Sequence, residues 1–348
     1  MTTTLSPAVR FGDAQIEMSH GAGGKASRRL VEGLILPTMM AEAIGQALGD
    51  AANLTIGDAR LAITTDSFVV RPLRFPGGSI GELAINGTVN DLAVSGAVPL
   101  ALVCSLIVEA GTPTGTLQAE IEAMGAAARH AGVRIIGGDT KVVEHGKADA
   151  LYITTTGIGR LDPRAALGAE AVRPGDRILV TGHLGDHGIT VLLARGDIDL
   201  AADLRSDTRS VYPFAAALLD EAGAALRWMR DPTRGGLATS LNELARDCGR
   251  ALLLDEEAIP VRDEVRGACE LLGLDPLHIA NEGQLVAIVA PERADRALEA
   301  LRRVDGGGAA ALIGRVDVAP AGTVLAVSAY GGTRVVDMLV GDPLPRIC

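Results

Sequence analysis

Aromatic residues are nearly missing: one Trp, three Tyr and four Phe make up 2% of the chain. Ala, Val, Leu and Ile must therefore fill the core, which suits layered α/β packing with closely spaced helices. There are too few rings to stack nucleobases, and no Lys/Arg stripe offsets a net charge of −11, so no nucleic-acid surface is expected. A small phosphate ligand stays open, because it needs only local donors and a metal. No CxxC pair occurs among Cys104, Cys248, Cys269 and Cys348, which argues against a zinc site or redox motif. Long apolar runs are missing too: ALVCSLIV around Cys104 falls far short of a membrane span. The opening MTTTLSPAVRF lacks the basic and apolar regions of a secretory signal, so a cytoplasmic location is expected.

What the chain does have is length and apolar content. Its 348 residues, 48% of them hydrophobic, suffice for two α/β domains. The 43 glycines cluster in short groups without a period, as turns and ligand-facing loops do. β-rich runs alternate with Ala/Leu helical patterns. Strands are predicted at Leu61–Thr65, Leu100–Glu109, Val133–Gly137, Leu151–Gly159, Arg177–Thr181, near Leu252, at Gln284–Val289 and at Val324–Val327. Helices are predicted at Ala26–Met40, Ser79–Ser95, Leu117–Ala131, Gly188–Arg195, Thr208–Glu221, Gly236–Asp247 and Pro291–Arg303. Cys104, in an apolar strand, and Cys248 and Cys269, in helical patterns, read as small buried hydrophobes. Arg-Pro-Gly-Asp before Arg177 marks a boundary within Leu161–Asp176. In the closing GDPLPRIC, Pro343 and Pro345 predict an extended, mobile tail.

Several clusters could carry chemistry. Ser19-His20-Gly21-Ala22-Gly23-Gly24-Lys25 precedes a helix but fails as a Walker A loop, since Ser19 and Ala26 stand where Gly and Ser/Thr are needed. Phosphate contact and a plain flexible loop both fit it. Asp66 and Asp139 follow predicted strands, and Asn90-Asp91 lies in a helical segment between them. Each Asp alone reads as a helix cap. Three converging carboxylates would repel one another unless a cation such as Mg²⁺ joined them, so together they point to metal and nucleotide phosphates. Asp231-Pro232-Thr233-Arg234-Gly235-Gly236 opens a helix, either as cap and surface charge or as an anion site. Glu282, in Asn281-Glu282-Gly283-Gln284, is a turn acid or a proton acceptor. His183 and His187 are four apart, but Gly185-Asp186 between them suggests a helix start rather than a metal pair. Cys348 ends an arm that could carry a sulfur-bound group between two sites.

Taken together, HGAGGK, TTDSFVV, NDLAVSGAVP, GGDTKVV, DPTRGGLAT, NEGQ and the terminal PRIC resemble the HypE family of hydrogenase maturation factors, from about His20 to Cys348. That family sits in the superfamily of aminoimidazole ribonucleotide synthetase and selenophosphate synthetase. The resemblance implies a PurM-like α/β (α+β) fold: a flexible stretch 1–19, an ATP-binding domain 20–160 whose sheet pairs with its twin in a homodimer, a larger α/β domain 161–335, and a mobile tail 336–348. It implies that the carbamoyltransferase HypF loads a carbamoyl group onto Cys348. ATP-driven dehydration then gives a thiocyanate. The HypC–HypD complex takes the cyano group, which becomes the cyanide ligand of [NiFe]-hydrogenase iron. By this resemblance Asp66, Asp91 and Asp139, with Asn90, hold Mg²⁺ and ATP, and Lys25 closes over the phosphates. Glu282 is the base near the tail, and Lys141 polarises the amide or steadies the forming phosphate. A selenophosphate synthetase is expected to carry Cys or selenocysteine in the glycine loop, which here has neither. Aminoimidazole ribonucleotide synthetase and thiamine phosphate kinase have no use for a cysteine tail. A non-catalytic nucleotide-binding scaffold is the remaining alternative.

Overall fold

The structure is a computed structural model that describes residues 10–40, 49–196, 202–341, 344 and 346–348. Helix α1 (Lys25–Leu30) runs through a π turn, Val31–Ile35, into α2 (Leu36–Met39), so the predicted N-terminal helix is one irregular rod. A hairpin follows: β1 (Ala52–Ile56) and β2 (Ala59–Phe68), joined through Gly57 at φ +57°. A two-residue ribbon, β3 (Arg74–Phe75) and β4 (Gly78–Ser79), leads into helix α3 (Ile80–Val94). Then come β5 (Ala97–Glu109), α4 (Thr114–His130), β6 (Arg134–Val143) and β7 (Leu151–Leu161). These strands form a five-stranded sheet in the order β1-β2-β7-β5-β6, antiparallel except for β5 beside β6.

One face of this sheet is covered and the other is open. Ala62, Phe68, Leu102, Leu151 and Ile153 point to the covered face and meet α3 and α4. Helix α3 is buried along nearly its whole length because the second domain packs on its far side. Gly157 lets α3 sit close, since a Cβ there would meet Thr88 Cγ2 at 2.7 Å. The open face and the edge strand β6 expose Leu100, Val103, Ile107, Ile135, Ile136 and Val142.

The second half contains β8 (Arg177–Val180), α5 (Asp186–Ala194), α6 (Tyr212–Ala222), β9 (Leu226–Arg230), α7 (Gly236–Cys248) and β10 (Ala251–Asp255). It continues with α8 (Asp263–Leu272), β11 (Val286–Val289), α9 (Ala294–Arg303), β12 (Ala311–Asp317), β13 (Thr323–Val327) and β14 (Thr333–Val335). Its seven strands run β14-β13-β10-β12-β8-β11-β9. Helices α6 and α9 pack over one face on Phe214, Leu218, Leu179 and Leu301; α7 packs over the other on Leu237, Leu241, Leu252 and Val286. With helices on both faces, Val286–Val289 is buried throughout, which explains an unbroken apolar run.

The expected two-domain α/β architecture is present, with strands β1, β3, β4, β9, β12 and β14 and helix α8 beyond the predicted set. Helix α6 starts at Tyr212 rather than Thr208, because 208–211 form a loop tied to Asn90 and Glu282. Cys104 and Cys269 are buried as expected, and Cys248 is half-buried. The tail lies docked: Leu344, Ile347 and Cys348 join a hydrophobic cluster with Phe68, Val70, Phe75, Ile189 and Ile279. Pro343 and Pro345, on which the expected stiffness rests, lie outside the described residues. Among the described residues no helix is long and apolar enough to cross a membrane.

Candidate active site

The site begins with the alternation of β2. Even-numbered Ala62, Thr64, Asp66 and Phe68 turn toward α3, while Thr65 and Ser67 face the open side. Helix α3 presents Asp91 to β2, and the Thr64 hydroxyl donates to Asp91 Oδ2 at 2.7 Å. Asp231, buried at the start of the Asp-Pro-Thr-Arg loop after β9, approaches from the second domain. Asp50, just ahead of β1, completes a triad: carboxylate oxygens of Asp50, Asp91 and Asp231 all lie within 4.8 Å of one another. Arg230 pairs with Asp50 at 2.8 Å, which helps hold the group together.

A cavity of about 240 Å³ opens beside this triad. Asp50, Asp66, Asp91, Asp231, Thr233, Arg234, Glu282 and Cys348 contribute to its wall. A larger hollow of about 600 Å³ adjoins it, sharing Asp50 and walled by Trp228, Arg230 and Glu243. Burial, and then the neighbouring Asp231, Asp50 and Asp66, push the Asp91 carboxyl well above the usual carboxylate range. Asp231 is raised well above it too, first by burial and then by Asp50. Asp66 rises through burial, against the pull of Arg234. Glu282 is buried and rises well above its ordinary value by desolvation, then by Asp231, Asp207 and Asp66. Its Oε1 is buried with no hydrogen-bond partner. Crowded oxygen donors that favour protonation, beside an orphaned carboxyl oxygen, are the chemistry of a hard-cation site.

The sequence-predicted residues are distributed unevenly around this cavity. Asp66, Asp91, Glu282 and Cys348 all line it. Asn90 does not: its Oδ1 accepts from Val211 N at 2.8 Å, and its Nδ2 donates to the carbonyls of Arg209 (3.1 Å) and Glu282 (3.3 Å). It therefore ties α3 to the loop that carries Glu282. Lys25 also lies off the wall, with Nζ on Asp337 Oδ2 at 2.5 Å. Its glycine loop is wedged between Arg234 of the cavity wall and Leu339 at the root of the tail. Gly23, at φ +74°, abuts Arg234, while the Lys25 amide donates to Leu339 O at 3.0 Å.

The expected convergence of Asp139 with Asp66 and Asp91 does not occur within one chain, and the reason is sheet parity. Ser67 pairs with Thr154, Thr154 with Ser105, and Ser105 with Asp139. Asp139 thus shares the open face with Ser67, about 14 Å away at roughly 4.8 Å per strand. Asp66 and Asp91 lie under the covered face. Lys141 shares the open face with Asp139 and pairs with it at 2.8 Å, which holds the Asp139 carboxyl below its usual value. Neither His183 nor His187 belongs to the acid triad. Both His187 nitrogens are engaged, Nδ1 with Ser206 Oγ and Nε2 with Ile347 O, leaving none for a metal. Sequence reasoning missed Asp50, which no motif or spacing flags, and left Asp231 open between cap and ligand loop.

Two family models match the chain: AIR synthase related protein, N-terminal domain, over residues 48–161, and its C-terminal domain over residues 173–326. A carbamoyl dehydratase HypE of Azotobacter vinelandii is 48% identical over 336 residues, covering 97% of this chain and 98% of the relative. A crystal structure of hydrogenase maturation protein HypE in complex with ATP superposes with a TM-score of 0.80 at 45% identity, covering 96% of this chain and all of that one. A HypE–HypF complex gives a TM-score of 0.84 at 40% identity, over 89% of this chain and 99% of that one.

Proposed function

This chain belongs to the HypE family of carbamoyl dehydratases, and we propose that it removes water from an S-carbamoyl group carried on its own Cys348 in an ATP-dependent step of hydrogenase maturation. The observation that carries this reading is the place of Cys348. The last residue of the chain lines the same small cavity as Asp66, Asp91, Asp231 and Glu282.

The overall change balances with ATP as co-substrate. The thiocarboxamide loses its oxygen and two N–H protons and becomes a thiocyanate; the oxygen leaves in phosphate, one proton stays with that phosphate and the other is released. ATP supplies the phosphoryl group that turns a poor leaving oxygen into a good one. Glu282 accepts an N–H proton. A carboxylate whose protonated form is favoured by burial is a stronger base than one in water. The acid pocket fits Mg²⁺: Asp50, Asp91 and Asp231 would hold it, with Asp66 alongside, and it would neutralise the nucleotide phosphates. Arg234, also on the cavity wall just ahead of α7, would add a positive charge for the same phosphates. Lys25 reaches the phosphates by exchanging its ion pair with Asp337.

Asp139 and Lys141 enter this reading through a homodimer. The open sheet face and β6 carry exposed Val103, Ile107, Ile136 and Val142, and a second copy covering them would bring Asp139 and Lys141 to a neighbouring site. The carbamoyl donor in this reading is HypF, a partner supported by the HypE–HypF complex of a relative; the acceptor of the cyano group is HypC–HypD. This reading puts the reaction in the cytoplasm.

The test is the mass of the C-terminal peptide. After carbamoylation by HypF, adding ATP and Mg²⁺ should remove one water from the adduct. A peptide mass that ATP leaves unchanged, or ATP turnover equal in Cys348→Ala, overturns the self-substrate reading.

A further inference from the structure

The end of the chain is held by its backbone. The Arg346 carbonyl accepts from Arg195 Nη2 at 2.7 Å and from the Arg71 amide at 3.4 Å. The Ile347 carbonyl lies 3.0 Å from His187 Nε2, and a Cys348 oxygen accepts from the Val69 amide at 3.0 Å. Three successive residues are thus each gripped through an oxygen. Of these donors, only His187 is a fully buried side chain outside the acid cavity.

The bonding around His187 fixes its tautomer. A carbonyl can only accept, so Nε2 carries the proton toward Ile347. Nδ1 is then a lone pair, which takes the Ser206 hydroxyl proton at 2.8 Å. Ser206 Oγ in turn accepts from the Thr208 amide at 3.1 Å, so the donor chain runs in one direction from a loop amide to the tail. Phe75 packs edge-on against the ring at 5.5 Å, and burial pushes the imidazole pKa down to about 4. The ring stays neutral and singly oriented at ordinary pH.

We propose that His187 is the positioning residue that latches the C-terminal arm in its docked state, reading the Ile347 backbone so that the Cys348 sulfur is presented to the acid cavity whatever group it carries. The latch acts on a backbone oxygen, so it grips free, carbamoylated and dehydrated arms alike. Its bearing on turnover rests on the reading of Cys348 as carrier; its bearing on tail position does not.

Thiol labelling of the full-length protein separates these. Docked Cys348 is buried, so a small maleimide reports how often the arm leaves. His187→Ala should speed labelling of Cys348 about tenfold, the scale of losing one buried hydrogen bond, with Cys104 and Cys269 unchanged by peptide mapping. His187→Gln, which keeps an N–H donor and an acceptor, should restore most of the protection. Single-turnover dehydration at saturating ATP should slow in His187→Ala with the KM for ATP unchanged. Should His187→Ala not fold, Ser206→Ala, which leaves the imidazole but removes its orienting donor, should speed Cys348 labelling about threefold. Wild-type labelling of Cys348 in the folded variants, or all cysteines opening together, overturns the latch. Faster labelling with undiminished dehydration keeps the tail latch and overturns its part in turnover, whereas faster labelling with no dehydration of the Cys348 adduct even in the wild-type protein overturns the carrier reading instead.

Discussion

Glu282 shows how environment sets a side chain's work. A turn acid by sequence, it is buried with one oxygen orphaned and three aspartates pushing its pKa up. Its ordinary value is near 4.5, and the folded value lies well above that. Such a group stabilises the fold fully below its unfolded pKa and loses that contribution as pH rises through the folded one. Glu282→Gln should therefore raise the thermal midpoint of the ligand-free protein by about 2–4 °C at pH 8, and by less at pH 5. The same variant should bind ATP and yet form no thiocyanate by mass. Loss of ATP binding would assign Glu282 to the nucleotide instead of the arm. The remaining thiols differ in kind. Burial raises Cys104 and Cys269 to about 11, so at pH 8 only about one part in a thousand is thiolate, and both should resist alkylation in the native protein.

At the scale of elements, the glycine loop before α1 clasps the root of the arm. A Cβ on Gly24 would meet Leu339 O at 2.3 Å, closer than any real contact, and neither backbone can yield without separating. Gly24→Ala should cost about 1–3 kcal/mol in unfolding free energy and should release residues around Leu339, read as faster hydrogen exchange there. Unchanged exchange would show that the loop yields instead. The alternation of β2 does the complementary work, sending Asp66 toward Asp91 and Ser67 to the open face. Parity also explains why three acids that look equivalent in sequence are not equivalent in space.

For the whole molecule, the acid cavity gathers carboxyls whose protonated form burial favours, and a bound cation would displace those protons. With Asp91, Asp231 and Glu282 raised by burial and by one another, binding of Mg²⁺ with ATP should release protons, and affinity should strengthen as pH rises. Calorimetry in buffers of different ionisation enthalpy measures this; zero proton release would argue against cation binding by the acids. The homodimer has its own check. If Asp139 works in a neighbouring copy's site, mixing inactive Asp139→Ala with inactive Glu282→Gln should recover about a quarter of wild-type activity, since half of random pairs are mixed and each mixed pair holds one intact site. No recovery after subunit exchange would place Asp139 outside that site.

The sequence by itself determined the α/β class, most strands and helices, the family, and the choice of Asp66, Asp91, Glu282 and Cys348, four candidates that share one cavity wall. These follow from apolar periodicity and local motifs, which one stretch of chain carries whole. Asp50, the role of Asn90 as a tie, the separation of Asp139 and the partnership of His187 with Ile347 were decided only by tertiary structure. Each depends on residues brought together from distant segments, 160 positions apart for His187 and Ile347. Sheet parity and helix orientation set those meetings, and both are fixed only when the core closes.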